Sequence, residues 1–340
     1  MNLAALNEIA EKMVTPGKGI LAADESTGTI QKRFDAIGVE NTETNRRDYR
    51  ELMFRAEEAM TKYISGVILF EETLYQDAAD GTPLVKLIAE AGAVPGIKVD
   101  KGTTLLPGFP GETITQGLDG LGTRLAKDYE RGARFAKWRA VIDIGEGIPT
   151  WGAIKANAHA LARYAAICQA NQIVPIVEPE VLMDGAHDID RCDEVTRLVL
   201  KTVFEELFEQ RVALEGMVLK PNMVVCGKKC GKRASVEEVA HRTIEALKAT
   251  VPSSVPGIAY LSGGQTDEEA TAHLDAMNKI GGFPWKMTFS YGRALQAAPQ
   301  KAWSGNPANV AAAQRAFAHR ARMNSLASVG QWEGALEKAA

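Results

Sequence analysis

What most constrains the fold of this chain is a rhythm. Eight short runs rich in Ile, Val and Leu recur along it, most of them ending at or beside a charged or polar residue. They are 19–24 (GILAAD), 65–70 (SGVILF), 94–100 (VPGIKVD), 135–142 (FAKWRAVI), 173–180 (IVPIVEPE), 215–222 (EGMVLKPN), 257–263 (GIAYLSG) and 286–292 (KMTFSYG). Nearly continuous apolar character, in place of strict alternation, is the mark of parallel strands covered on both faces. Helical patterns separate most of the runs. The spacing predicts helices over 44–62, with Asn45 as candidate N-cap, and over 153–171 and 190–211. Another is expected over 235–249, opened by the capping-box signature SVEE, and a closing one from Asn306-Pro307 to about Ser328. Eight strands alternating with helices predict an α/β protein of the (β/α)8 TIM-barrel class, with a doubly wound sheet as the competing arrangement. One barrel accounts for 1–340 as a single domain, save a short C-terminal tail at about 329–340.

Composition narrows the function. At 46% hydrophobic and 24% charged, with no run approaching about 18 apolar residues, the chain has ample core and no membrane span. A net charge of −4 excludes a strongly basic nucleic-acid binder but allows a local basic pocket. Four Cys are too few for a disulfide framework, which fits a reducing cytoplasm, and MNLAALNEIAEKMV lacks the basic n-region of an export signal.

In a barrel, chemistry collects at the carboxyl ends of the strands. Asp24, Lys98, Lys137, Arg139, Glu178, Glu180, Lys220 and Arg293 all fall there. Lys220 follows an apolar run and precedes Pro221. A buried lysine beside another cation favours its free amine, a nucleophile towards ketones. Alone it reads first as a strand-end Lys reaching solvent or pairing with a Glu, but the convergent strand-end groups reverse that preference towards chemistry. Glu178 and Glu180, two apart, project to one face, as do Lys137 and Arg139. The carboxylates could serve as an acid–base pair or as rim salt bridges. Asp24 is equally a catalytic carboxylate or a cap, since ADEST is good N-cap chemistry.

Two anion sites are expected. LSGGQ, with Ser262, Gly263 and Gly264, and SYGR, with Ser290, Gly292 and Arg293, follow the last two strands, where barrels often bind phosphate. Ser26, Thr29, Arg33 and Lys98 form a second polar set, so a substrate phosphorylated at both ends is implied. Metal chemistry is not expected. The five His form no HxH or HxxxH set, and Cys226-x3-Cys230 without a second pair reads as a loop with free thiols.

These motifs resemble a known family. GKGILAADESTGTIQKRF, NRRDYRELMF, GVILFEETLYQ, GIKVDKG, TQGLDGL, FAKWR, LARYAAICQ, IVPIVEPEVL, LKPNMV, LSGGQ and TFSYGRALQ, in that order from about residue 8 to 328, resemble class I fructose-1,6-bisphosphate aldolase. The resemblance implies a (β/α)8 barrel, a cytoplasmic homotetramer of glycolysis and gluconeogenesis, and a metal-independent Schiff-base lyase that needs no cofactor. Fructose 1,6-bisphosphate and the triose phosphates are then its substrates and products. It implies Lys220 as the Schiff-base lysine and Glu178 as the acid–base carboxylate, assisted by Glu180 and Lys137. Asp24 takes the C4 hydroxyl proton. Ser262, Gly263, Gly264 and Arg293 match the C1-phosphate site, Ser26, Thr29, Arg33 and Lys98 the C6-phosphate end, and Arg139 a substrate-binding arginine. Thr29 stands where many members have Ser and keeps the hydroxyl. Members typically finish with Tyr on a flexible tail; here the tail is VGQWEGALEKAA and the last Tyr is Tyr291. The expectation is a natural short tail, with Glu178 protonating the enamine. Two alternatives stand beside this reading: a fructose 1-phosphate-preferring aldolase, and a catalytically weakened binding or scaffold member.

Overall fold

The computed structural model describes residues 1–338. The eight apolar runs become eight barrel strands: β1 (Gly19–Ala23), β2 (Ile64–Leu69), β3 (Val94–Lys98), β4 (Phe135–Ile142), β5 (Val174–Val181), β6 (Val218–Leu219), β7 (Gly257–Tyr260) and β8 (Lys286–Tyr291). Each pairs in parallel with the next, and β1 pairs with β8 through Ile20 opposite Ser290, closing the barrel. Closure excludes the doubly wound alternative.

The interior follows the two-residue period of a strand. Ile20 and Ala22 on β1, Val94 on β3, Phe135 on β4, Val174 and Ile176 on β5 and Val218 on β6 share one apolar cluster. Leu6, Ala10 and Met13 of the helix Leu3–Met13 close that cluster from below. The intervening residues Leu21, Ile97, Trp138, Val177 and Leu219 belong to the outer cluster under the helices. Continuing the inner series by steps of two gives Asp24, Lys98, Lys137, Arg139, Glu178, Glu180 and Lys220. The same face is therefore apolar in the lower half of the barrel and charged in the upper half. Phe135 fills the floor closely enough to require glycine beside it: a Cβ on Gly96 would lie 2.3 Å from its ring.

Several helical expectations shift. The 44–62 pattern forms two helices, Glu43–Phe54 and Glu57–Lys62, and the cap is Thr42, whose Oγ1 accepts the Asn45 N–H at 3.1 Å. The break at Arg55 and Ala56 turns the second helix into β2. At Ser235 only half of the capping box is made, Oγ accepting the Glu238 N–H. The complete box lies at Thr266 and Glu269, opening the helix Asp267–Ile280. A hairpin, Thr103–Leu105 against Thr113–Thr115, was not anticipated. Its Thr115 hydroxyl donates to the Arg139 carbonyl at 2.7 Å and braces β4. The tail expected at about 329–340 packs down where described: the Trp332 N–H donates to Asp275, and Glu337 pairs with Arg320. Its last two residues lie outside the described range.

Candidate active site

Lys220 directly follows β6, its N–H bonded to the Val177 carbonyl at 2.8 Å. Asn222 accepts the Val181 N–H through Oδ1, so β5 and β6 stay joined beyond the strand pairing. Lys220 Nζ lies 3.1 Å from Glu178 Oε1. Glu178 Oε2 lies 3.3 Å from Lys137 Nζ, and Lys137 Nζ lies 2.8 Å from Asp24 Oδ2. Four strands thus contribute one line of alternating charge, Asp24–Lys137–Glu178–Lys220, nearly all of it withdrawn from water.

Burial by itself would raise the Asp24 carboxyl. The charges of Lys137, Lys220 and Lys98 outweigh it and hold Asp24 down at about 2. Burial would discharge Lys137, but Asp24, Glu178 and Asp100 keep it protonated, well above an ordinary lysine. The sign of the linkage follows. A carboxyl depressed in the folded state stabilises it above the unfolded value of about 3.9, and the effect is lost as pH falls towards about 2. In urea denaturation the gap between wild type and Asp24→Asn is therefore expected to be widest above about pH 4 and to close on acidification. A gap independent of pH would mean the lysines do not hold this carboxylate.

Beyond this line, Arg139 Nε donates to Glu180, and Lys98 Nζ pairs with Asp100 Oδ1 at 2.9 Å. Asp100 was missed as a functional candidate. It also accepts the Arg139 N–H at 3.4 Å, and the one signal for it was its place at the end of the third apolar run. Glu25 was missed too. Buried beside Asp24, it takes hydrogen bonds from Arg33 and from Gln296 Nε2, while Arg50 holds its carbonyl. Arg50 left no trace in the sequence, because a helical arginine usually points to solvent.

The glycines of the β7 loop are required by close approach. A Cβ on Gly263 would lie 3.1 Å from Glu180 Oε1; Gly264, at φ +71°, has Met183 directly against it. Arg293 donates to the Gln265 carbonyl and bridges the β7 and β8 loops. Ser290 is buried, its Oγ without a hydrogen-bond partner among the described residues. Gly292 opens the helix Arg293–Trp303, whose N-terminus suits an anion. On the β1 side, Ser26 and Thr29 hydroxyls lie 3.1 Å apart. Arg33, on the same helix Thr27–Asp35 as Thr29, reaches towards the end of β8. Its Nη2 is 3.7 Å from where a Gly292 Cβ would stand, because barrel closure brings the helix after β1 over the exit of β8.

A buried amine with a carboxylate in reach, a second carboxylate across a shared cation and phosphate-type loops at the rim can support amine attack on a carbonyl with proton transfer on both sides. Among the described residues no group of three or more His, Cys, Asp or Glu is arranged for a metal, and Cys226 and Cys230 are free thiols. No described helix is long and apolar enough to cross a membrane.

Residues 5–340 match the family model of class-I fructose-bisphosphate aldolase. A probable fructose-bisphosphate aldolase class 1 of Xanthomonas campestris is 56% identical over 98% of this chain and all of that relative. Fructose-bisphosphate aldolase 4, cytosolic, of Arabidopsis thaliana is 57% identical over 94% of this chain and 81% of its own length. Among solved structures, the Plasmodium falciparum fructose-bisphosphate aldolase, in complex with TRAP and a small-molecule inhibitor, superposes with a TM-score of 0.95. It is 50% identical, over 98% of this chain and 96% of that one.

Proposed function

The chain belongs to the class-I fructose-bisphosphate aldolase family, and from that premise we propose how its residues reversibly cleave fructose 1,6-bisphosphate to dihydroxyacetone phosphate and glyceraldehyde 3-phosphate. The observation that carries the assignment of roles is the buried line Asp24–Lys137–Glu178–Lys220.

Lys220, as the free amine, adds to the C2 ketone of the open-chain sugar. Glu178, 3.1 Å from Nζ, takes and returns the protons needed to lose water. Lys137 stays charged between the two carboxylates. The protonated imine then serves as an electron sink. Asp24, ionised at neutral pH, accepts the C4 hydroxyl proton, the C3–C4 bond breaks and glyceraldehyde 3-phosphate leaves. Glu178, directly or through water, protonates the enamine at C3. Hydrolysis of the imine releases dihydroxyacetone phosphate and restores Lys220. Glu180 orients Arg139 in the substrate pocket.

The C1 phosphate is assigned to Ser262, Gly263, Gly264, Ser290, Gly292 and Arg293. The C6 phosphate goes to Ser26, Thr29 and Lys98, with Arg33 on the β8 side of the same pocket. Two anchors supply binding energy remote from the reacting carbons and hold them in line. The cytosolic Arabidopsis relative supports a cytoplasmic location; the proposed homotetramer rests on the resemblance, and Leu198 and Phe208 leave apolar surface on the helix Ile189–Glu209 for self-association.

Cleavage coupled to triose-phosphate dehydrogenase tests this reading. Activity is expected to persist in EDTA, and kcat/KM for fructose 1,6-bisphosphate to exceed that for fructose 1-phosphate by about tenfold or more. Activity lost to the chelator would overturn the metal-free mechanism, equal values would remove the second anchor, and no turnover would leave a binding protein.

A further inference from the structure

Cys226 and Cys230 flank a turn that follows β6 and takes no part in the chemistry above. The turn closes with the Cys230 N–H on the Gly227 carbonyl at 2.9 Å, and it brings the two thiols within reach of one another's charge. Both are free and only half-buried, whereas Cys168 and Cys192 are sealed in helices. Lys228, Lys229, Lys232 and Arg233 surround the pair in sequence, and Cys230 Sγ donates to the Lys232 carbonyl at 3.3 Å. Burial, together with the neighbouring Cys230, pushes the Cys226 thiol up.

The turn is seated on the loop after β5. Gly227, Lys228 and Lys229 donate their N–H groups to the carbonyls of His187, Met183 and Gly185 at 2.9, 2.7 and 3.0 Å. The seat is tight, since a Cβ on Gly227 would lie 2.2 Å from the Gly185 carbonyl oxygen. Met183 and the Lys228 side chain in turn lie against Gly264 of the phosphate loop. Behind that loop is a cavity of about 310 Å³ bounded by Cys226, Arg233, Gln265 and His273. Gln265 Oε1 accepts from His273 Nδ1 at 2.5 Å, an imidazole that burial holds down at about 4 and hence neutral. The buried Gln265 Nε2 has no hydrogen-bond partner among the described residues. Met183, Lys228 and Gly264 line the same cavity, so the loop has open space beside the contacts that link it to the turn.

We propose that Cys226 and Cys230 are a reversible modification site for low-molecular-weight disulfides of the glutathione type, and that closing the pair displaces the phosphate loop at residues 262–265. The Cys230 thiolate attacks one sulfur of the reagent and expels the first thiolate, which takes up the proton Cys230 lost. Cys226 then gives up its proton and attacks the Cys230 sulfur of the mixed disulfide, expelling the second thiol. The protein pair is oxidised by two electrons and one external disulfide is reduced to two thiols. A disulfide requires a defined Cβ separation and dihedral angle, so the turn must tighten. Its seat offers no slack at Gly227, and the movement passes to Lys228, Met183 and Gly264.

The test equilibrates the reduced full-length protein with oxidised and reduced glutathione in varied ratio, followed by peptide mass spectrometry and steady-state kinetics. The expected result is loss of two hydrogens within the peptide holding Cys226 and Cys230. The KM for fructose 1,6-bisphosphate should rise by about fivefold or more, with a smaller change in kcat, both reversed by dithiothreitol. Cys230→Ser should retain the reduced enzyme's KM under oxidation. Failure of the pair to close, closure without a change in KM, or the same KM rise in Cys230→Ser would each overturn the proposal. The kinetic readout rests on the phosphate-loop assignment and the mass readout does not, so an enzyme inactive even when reduced would count against the aldolase reading alone.

Discussion

Lys220→Met is expected to abolish turnover, lowering kcat by about five orders of magnitude while leaving the barrel folded. Methionine keeps the length and apolar stem that the end of β6 accommodates, and removes only the amine that Glu178 Oε1 meets at 3.1 Å. Lys220→Arg should not rescue it, because a guanidinium stays protonated and cannot add to a ketone. Covalent trapping separates loss of the nucleophile from loss of fold. Borohydride with dihydroxyacetone phosphate should add mass to Lys220 in the wild type and none in either variant. Unchanged mass in the wild type would sink the Schiff-base assignment, and substantial turnover by Lys220→Met would show that another group attacks the carbonyl.

Lys137→Met should have the largest effect on stability. One buried ammonium serves Asp24 at 2.8 Å and Glu178 at 3.3 Å, so its removal strands two carboxylates in the same low-dielectric space. Breaking a buried pair in this way typically costs about 3–5 kcal/mol, and the loss should appear as a lowered urea midpoint. The Asp24 carboxyl should rise, since burial would be opposed by Lys220 and Lys98 without their strongest partner. With the C4 base and the imine-forming pair both disturbed, kcat should fall by about 10²- to 10⁴-fold. Pairing the change with Asp24→Asn supplies the check. If Lys137 acts through its two carboxylates, the double variant should be less destabilised than the sum of the singles. Strict additivity would contradict the shared-cation arrangement.

Much of this protein is legible along the chain, for reasons that differ from element to element. The barrel strands are legible because each is covered on both faces, which forces continuous apolar runs that turns and helices do not imitate. The charged half of the interior is legible for a related reason. Glu178 with Glu180 and Lys137 with Arg139 stand two apart inside such runs, where charge is costly unless it is used. The hairpin at 103–115 escaped because its first strand, Thr103–Leu105, is fully exposed and lacks a buried face to pattern it. The break at Arg55 and Ala56 escaped because neither residue is a helix breaker. Glu25 and Arg50 escaped because their burial depends on packing among three separate helices and the end of β1.

By itself, then, the sequence determines which residues belong to strands, which of their faces is charged, and that a lysine follows the sixth strand among carboxylates. Those are properties of short range, set by the two-residue period and by the cost of burying charge. Who pairs with whom was decided only by the tertiary structure. Closure of β1 on β8 brings Arg33 beside Gly292, and the barrel brings Asp24 and Glu178 both within reach of one ammonium. No local pattern encodes such distances, because they arise from groups far apart in the chain meeting inside a ring whose curvature all eight strands set together.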